Sequence, residues 1–387
     1  MARRRSVSRR RRRVALAVLG LAVVAGSLGL FLVYFMTTYP ESPGPGRGRE
    51  VVLDIPWGES PAGIARRAAD AGVVDHPRIF AIYLRASGFA RQLKAGRHVV
   101  ADDWSPGRLA RALTEPGAAE QVRVTIPEGS TRFDVGDELE RRGVVAREPF
   151  LTATEDTDLL SRFSIVGSDA EGYLFPETYQ MEPGTDAAAV VERLLETFDR
   201  RAGPLFTKNA DMLSTLGEEL QELETSLGGG PLSEAPDAEA AGRHAVVILA
   251  SMVEAETARA DERPHVAAVM LNRLRSEDFP SRKLQIDPTV RYGCVAEPAA
   301  APSCRGWAGG RLTTRHLEDA ANRYNTYVIR GLPPGPIGSP SLESIEAVLT
   351  PAATDDLFFV ADGQGGHRFS KTLEEHNKAV EAYRNNR

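Results

Sequence analysis

Little in this chain of 387 residues could hold a metal. It has two cysteines, Cys294 and Cys304, and seven scattered histidines with no HExxH or other ligand spacing. That scarcity excludes a structural zinc site and a metalloenzyme, and no motif calls for a cofactor. The length excludes a small disulfide scaffold. The first 13 residues lack any acid and carry eight arginines, and residues 14–36 lack charge altogether. From residue 14 onward there are 39 basic and 53 acidic side chains, a net charge of −14. A body without a cationic excess has no nucleic acid as its main ligand, because phosphate binding needs a positive face. What remains, 42 % hydrophobic and 26 % charged, is a globular balance.

The uncharged run Val14–Met36 is 23 residues long. At about 1.5 Å per residue, a helix of that length crosses a hydrocarbon core of roughly 30 Å. The apolar region of a signal peptide is shorter, about 7–15 residues, so we expect one uncleaved membrane helix. The arginines ahead of it keep the N-terminus cytoplasmic, which places the acidic body outside the plasma membrane. An oxidising compartment permits a disulfide between Cys294 and Cys304, the alternative being two free thiols. Pro40–Gly48 (PESPGPGRG) reads as an extended spacer between bilayer and fold.

An internal repeat follows. Val51–Val74 contains IPWGES, then Ile64 and Gly72-Val73-Val74; Val124–Val145 contains IPEGST, then Val135 and Gly143-Val144-Val145, each landmark displaced by 71 residues. Each copy reads as a strand, an Ile-Pro-x-Gly turn, a Ser/Thr-started helix ended by glycine, and then a further strand and helix. The strand–helix–helix–strand order resembles the LysM-type module, which binds peptidoglycan or chitin glycan in other proteins. A duplicated packing unit without a ligand would read the same way. Residues Thr207–Asp237, poor in large apolar residues in their second half, read as a linker or hinge.

Ala245–Ala255 (AVVILASMVEA) is almost continuously apolar and rich in helix formers, which predicts a buried helix over about Asp237–Arg259. Glu254 and Glu256 lie at its end. Residues two apart on a helix differ by about 200° in direction, so these carboxyls cannot face each other as an acid–base pair. A carboxyl at the end of an apolar helix is where burial raises the pKa and keeps a proton available at neutral pH. The same two residues could also be surface charges. Gln285, Asp287, Thr289 and Tyr292 flank a strand-like turn at Pro288, and Asn325, Thr326 and Tyr327 form a second polar cluster. These side chains suit sugar binding and equally suit loop capping. LFFVADGQGGHRFS (Leu357–Ser370) reads as a hairpin with His367 on its second strand, a weaker candidate for substrate contact.

Five ordered blocks, ASMVEAET (250–257), ERPHVAAVMLNRL (262–274), LQIDPTVRYG (284–293), YNTYVIRGLPPGPIGSP (324–340) and LFFVADGQGGHRFSKTLEEHNKAV (357–380), closely resemble the endolytic murein transglycosylases of the MltG (YceG-like) family. EGYLFPETY (171–179) and the single N-terminal membrane helix extend the resemblance. It implies lytic cleavage of the β-1,4 bond between N-acetylmuramic acid and N-acetylglucosamine within glycan strands, leaving 1,6-anhydro-muramic ends and using neither metal nor cofactor. It assigns catalysis to Glu256, the glutamate followed by threonine, with Glu254 and Thr257 in support; the polar group Gln285, Asp287, Thr289, Tyr292, Asn325, Thr326 and Tyr327 is then expected to line a glycan groove beside Glu256. It suggests penicillin-binding synthases and elongation or division proteins as partners. The Ala/Pro-rich stretch Cys294–Gly310 departs from the family pattern.

The expected fold is α+β: a cytoplasmic tail (1–13), a transmembrane helix (14–36), a spacer (37–49), a LysM-like first repeat (50–122), a second repeat (123–206), a linker or hinge (207–237), and a mixed α/β catalytic domain (238–387) around the buried glutamate-bearing helix. The competing expectation is a non-catalytic, membrane-anchored peptidoglycan-binding scaffold.

Overall fold

The computed structural model describes residues 26, 27, 29, 30, 33–56, 58–115 and 121–385. Most of the expected membrane helix, Val14–Met36, and all of the arginine tail lie outside these residues; residues 33–38 are helical. Among the described residues, no helix is long and apolar enough to cross a membrane. The chain divides into two compact units, Met1–Gln121 and Val122–Arg387. Both are mixed α+β, and each sheet among the described residues is a two-stranded antiparallel ribbon.

In the first unit, strand β1 (Glu50–Ile55) pairs with β2 (Gly96–Ala101), Glu50 opposite Ala101 and Ile55 opposite Gly96. Helices α1 (Pro61–Asp70) and α2 (Pro77–Ala86) connect them, and α3 (Pro106–Ala112) follows. Burial of Leu53, Ile64, Phe80, Leu84, Val100 and Leu109 builds a separate small core. The Pro/Gly stretch before β1, expected to be an extended spacer, instead folds back. The backbone N–H groups of Arg47, Gly48 and Arg49 all donate to the Asp102 carboxylate, at 2.9–3.0 Å.

The second unit opens on the second copy of the pattern. Strand β3 (Val122–Thr125) pairs with β4 (Thr178–Met181), and helices α4 (Arg132–Arg141), α5 (Arg147–Ala153) and α6 (Thr157–Arg162) lie between them in sequence. The duplication is visible in its capping chemistry. Ser60 accepts from the Gly63 N–H at the start of α1, and Thr131 accepts from the Asp134 N–H at the start of α4. Gly72 and Gly143 take φ of +75° and +71°, the left-handed conformation that ends a helix and turns the chain back into the core.

Helices α7 (Ala187–Lys208), α8 (Ala210–Leu227), α9 (Ala238–Glu256) and α10 (Arg263–Arg275) follow, then α11 (Asp287–Ala296), α12 (Thr314–Leu317) and α13 (Leu342–Leu349). Strands β5 (Phe358–Ala361) and β6 (His367–Ser370) form the expected hairpin, and α14 (Leu373–Asn385) ends the described chain. One core runs from Val124 and Phe150 through Leu194 and Phe198 to Val247, Met270 and Ile345.

Two sequence expectations are corrected here. The stretch 207–237 is mostly helix α8, and its Leu213, Leu216 and Leu220 are buried in that core. The chain at Pro288 starts helix α11 rather than a strand-like turn, because proline costs little in a first helical turn. Helices α8 and α9 approach almost backbone to backbone. A Cβ on Gly217 would stand 1.8 Å from the Ala238 carbonyl oxygen, and one on Gly242 would stand 1.9 Å from the Leu213 carbonyl oxygen. Gly242→Ala must push the two helices apart, at a cost of about 3 kcal/mol. A fall of about 6 °C or more in the unfolding midpoint of the second unit is the expected outcome, read by scanning calorimetry. An unchanged midpoint would contradict this packing.

Candidate active site

Helix α9 is the central rod of the second unit. Asp237 caps its start through the Ala240 N–H, and every residue from His244 to Val253 is buried. Thr257 closes it: its N–H still bonds to the Val253 carbonyl, and its hydroxyl accepts from the Arg259 N–H at 3.1 Å. Thr257 is 3 % exposed and acts as the cap of the helix end.

The two glutamates at that end have opposite surroundings. Glu254 is locked in place. One oxygen pairs with Arg263 of α10 at 3.0 Å, and the other accepts from the Ser341 N–H at 3.0 Å and the Ser344 hydroxyl at 2.8 Å, with the Ser341 hydroxyl also donating to it. Both side chains of the ion pair are more than nine-tenths buried. The IPEGST turn of the second repeat lies against the same segment: the Gly129 N–H donates to the Ser339 carbonyl and the Ser339 N–H to the Ser130 carbonyl, both at 2.8 Å. Glu128 in that turn sits 3.9 Å from Arg263. Partial burial, with Glu254 nearby, raises its pKa.

Glu256 is half-buried and has no hydrogen bond or ion pair among the described residues. Burial pushes its pKa up to about 7, the nearby Asp287 carboxylate adds to the rise, and Arg273 opposes it. Asp287, at the first position of α11, accepts the Tyr327 hydroxyl at 2.7 Å. Burial and the Asp287 charge raise the Tyr327 pKa, so this phenol stays a donor. Arg273, unremarked in the sequence analysis, is buried behind them. Its Nε donates to the Leu357 carbonyl at 2.6 Å and its Nη1 to the Leu284 carbonyl, and Phe279, Phe358 and Phe359 surround its guanidinium at 5.5–5.7 Å. Burial lowers its pKa to about 10, leaving it cationic at neutral pH. The result is a carboxyl able to hold a proton, beside one carboxylate, one phenol and one fixed cation.

The other expected site residues divide. Gln285 is exposed, with its backbone N–H bonded to the Thr326 carbonyl. Thr289 and Thr326 are fully buried and bond to each other at 2.9 Å, and the Thr326 hydroxyl also accepts the Ile286 N–H. Asn325, fully buried, donates to the carbonyls of His316, Leu317 and Asp319. These three side chains brace the loop that carries Tyr327, and their polar atoms are used inside the protein. The Tyr292 side chain is 5 % exposed and its hydroxyl donates to Glu171 at 3.0 Å. Glu171 is a buried carboxyl that sequence reasoning missed. It also accepts the Arg132 N–H, and burial pushes its pKa to about 8. His367 pairs with Glu262 at 2.8 Å. Cys294 and Cys304 form a disulfide. Among the described residues no cluster of side chains could hold a metal ion.

The model of the YceG-like family matches residues 53–382. The endolytic murein transglycosylase of Bacillus subtilis strain 168 is 26 % identical over 348 residues, covering 86 % of this chain and 84 % of that protein. That of Streptococcus pneumoniae strain D39 is 26 % identical over 369 residues, covering 87 % of this chain and 59 % of that protein. A crystal structure of a yceG-like protein from Listeria monocytogenes is 25 % identical and covers 86 % of this chain and 99 % of that one, with a TM-score of 0.49.

The contrast between the two glutamates is measurable as stability. Glu254→Gln breaks a buried ion pair and leaves Arg263 without its partner, which costs about 3 kcal/mol. Glu256→Gln removes a group whose folded pKa, about 7, lies above its ordinary 4.5. The stability linked to that shift is fully present below about pH 4.5 and is lost as pH rises through about 7. Relative to wild type, Glu256→Gln is therefore expected to gain stability between about pH 4.5 and pH 7 and to keep that gain at higher pH. Thermal unfolding of both variants at pH 5 and pH 9 checks this; a destabilised Glu256→Gln at pH 9 would contradict the assignment.

Proposed function

The chain belongs to the YceG-like family, and from that premise we propose that it is an endolytic peptidoglycan lytic transglycosylase with Glu256 as its catalytic acid and base. The observation that carries the reading is the unpaired, half-buried Glu256 carboxyl with a pKa near 7, set apart from a fully bonded Glu254. The relatives named as endolytic murein transglycosylases support the same chemistry.

In this mechanism neutral Glu256 donates its proton to the glycosidic oxygen as the bond from C1 of N-acetylmuramic acid to that oxygen breaks. The N-acetylglucosamine hydroxyl leaves. The muramic 6-hydroxyl then attacks C1, the new C1–O6 bond closes the 1,6-anhydro ring, and the hydroxyl proton passes to the Glu256 carboxylate. No water is consumed and Glu256 ends protonated. A typical glycosidase needs a second carboxyl as nucleophile or as base for water. Here the nucleophile is internal to the sugar, and the Asp287 carboxylate is free to favour the positive charge that develops at C1. Arg273 limits how far the Glu256 pKa rises, so that the group can leave its proton and recover it at neutral pH.

The reading extends to the rest of the chain. The Val14–Met36 run anchors it in the plasma membrane with the arginine tail in the cytoplasm, the repeats hold glycan, and the substrate is the newly made strand supplied by penicillin-binding synthases and the elongation or division machinery. A net charge of −14 outside the membrane cannot attract a substrate bearing charges of both signs. Tethering and a polar groove supply that role.

The test is mass analysis of the soluble products released from purified peptidoglycan. Wild type is expected to release anhydro-muropeptides, and Glu256→Gln to lower their release by at least about 10³-fold while remaining folded. The wild-type rate is expected to fall about tenfold per pH unit above pH 7, as the donor proton is lost. Reducing ends in place of anhydro ends would show hydrolysis, and binding without any product would show a scaffold.

A further inference from the structure

A cleft of about 940 Å³ opens beside the aromatic shell of Arg273, between the segment 276–285 and the start of α14. That volume falls within the roughly 300–1,000 Å³ of ligand clefts. We propose that it receives the peptide stem borne by the muramic acid residue at the cleavage site, an inference that rests on the reading of the chain as a peptidoglycan-cleaving enzyme.

Arg273 links the cleft to the catalytic carboxyl. Phe279 and Phe358 line the cleft, and both lie against the Arg273 guanidinium whose charge acts on Glu256. Gln285 lines it too, two residues before Asp287. The stem leaves the sugar at C3 of the same ring whose C1 reacts. An extended peptide covers about 3.3 Å per residue, so three stem residues span about 10 Å from the reaction centre.

The lining matches a short peptide better than it matches sugar alone. Phe279 and Phe358 offer apolar surface, while Asp278 and the exposed Lys371–Asp355 pair, at 2.9 Å, put both signs of charge on the rim. A stem peptide carries methyl groups, carboxylates and an amino group together. Leu373 at the rim is 58 % exposed, the more exposed of the two large apolar side chains left open to solvent among the described residues of the second unit. The backbone beside the cleft is strained. Arg282 and Gln285 have φ of +52° and +55°, two of the three non-glycine residues in the left-handed region among those described. Such conformations are unfavourable for residues that carry a Cβ, and they gather at ligand clamps. The Gln285 side chain lines the cleft and has no hydrogen bond among the described residues.

The experiment titrates soluble muramoyl tetrapeptide, which has no bond to cut, into the full chain in detergent, and separately compares cleavage of peptide-bearing and amidase-stripped glycan. Wild type and Glu256→Gln are expected to bind the muramoyl tetrapeptide alike, and Lys371→Glu with Leu373→Asp to raise its Kd at least fivefold. The ratio of kcat/KM for peptide-bearing over stripped glycan is expected to fall at least fivefold in the same double variant. Both side chains are exposed, so the fold is not at stake; Gln285→Ala is a second variant expected to move that ratio in the same direction. Wild type failing to bind the peptide, or a double variant with unchanged Kd and ratio, overturns the proposal. Peptide binding without glycan cleavage would instead overturn the functional reading and leave the cleft assigned to peptide.

Discussion

The buried ion pair between Glu254 and Arg263 is the constraint on which the site depends. It joins the last turn of α9 to the first turn of α10, and through Ser341 and Ser344 it ties both to the start of α13. A buried carboxylate this fully bonded cannot rotate away without stranding Arg263. With Glu254 fixed, the helix geometry directs Glu256 to the other side of the rod, where no donor meets it. The helix end is thus stabilised by one glutamate and left chemically open by the other.

The consequence is electrostatic. Burial favours the neutral form of Glu256, Asp287 reinforces that preference, and Arg273 moderates it from a pocket of three phenylalanine rings. None of these neighbours hydrogen-bonds the carboxyl, so its proton remains available to a ligand. Thr289, Asn325 and Thr326 contribute at one remove. Their buried hydrogen bonds hold the start of α11 and the loop to Tyr327 against each other, and so fix the distance from Tyr327 to Asp287.

Much of this was legible in the chain itself. The apolar run Ala245–Ala255 read as a buried helix ending in two glutamates, and the resemblance to the family singled out Glu256, the one followed by threonine. The 71-residue repeat, its Ser/Thr caps and its glycine stops all appear as drawn, as does the hairpin at 358–370. Other features were hidden for physical reasons. Helix α8 looked like a hinge because the second half of 207–237 is poor in large apolar residues, which masked the buried Leu213, Leu216 and Leu220 of its first half. Polar residues near the site looked like ligand-binding groups, whereas burial and internal partners decide what Thr289, Tyr292, Asn325 and Thr326 touch, and no periodicity encodes that. Arg273 was one of three arginines in its helix, and Glu171 one acid in a family block; only the folded chain shows what they face.

The central claim is that Glu256 holds its proton up to neutral pH because no hydrogen bond or ion pair offsets its burial and Arg273 only moderates it. Carbon-13 NMR titration of the glutamate side-chain carboxyls, with Glu256→Gln used to assign the signal, measures this directly. The account predicts a Glu256 midpoint near pH 7. A midpoint near the ordinary 4.5 would show an ionised, solvated group and would contradict it.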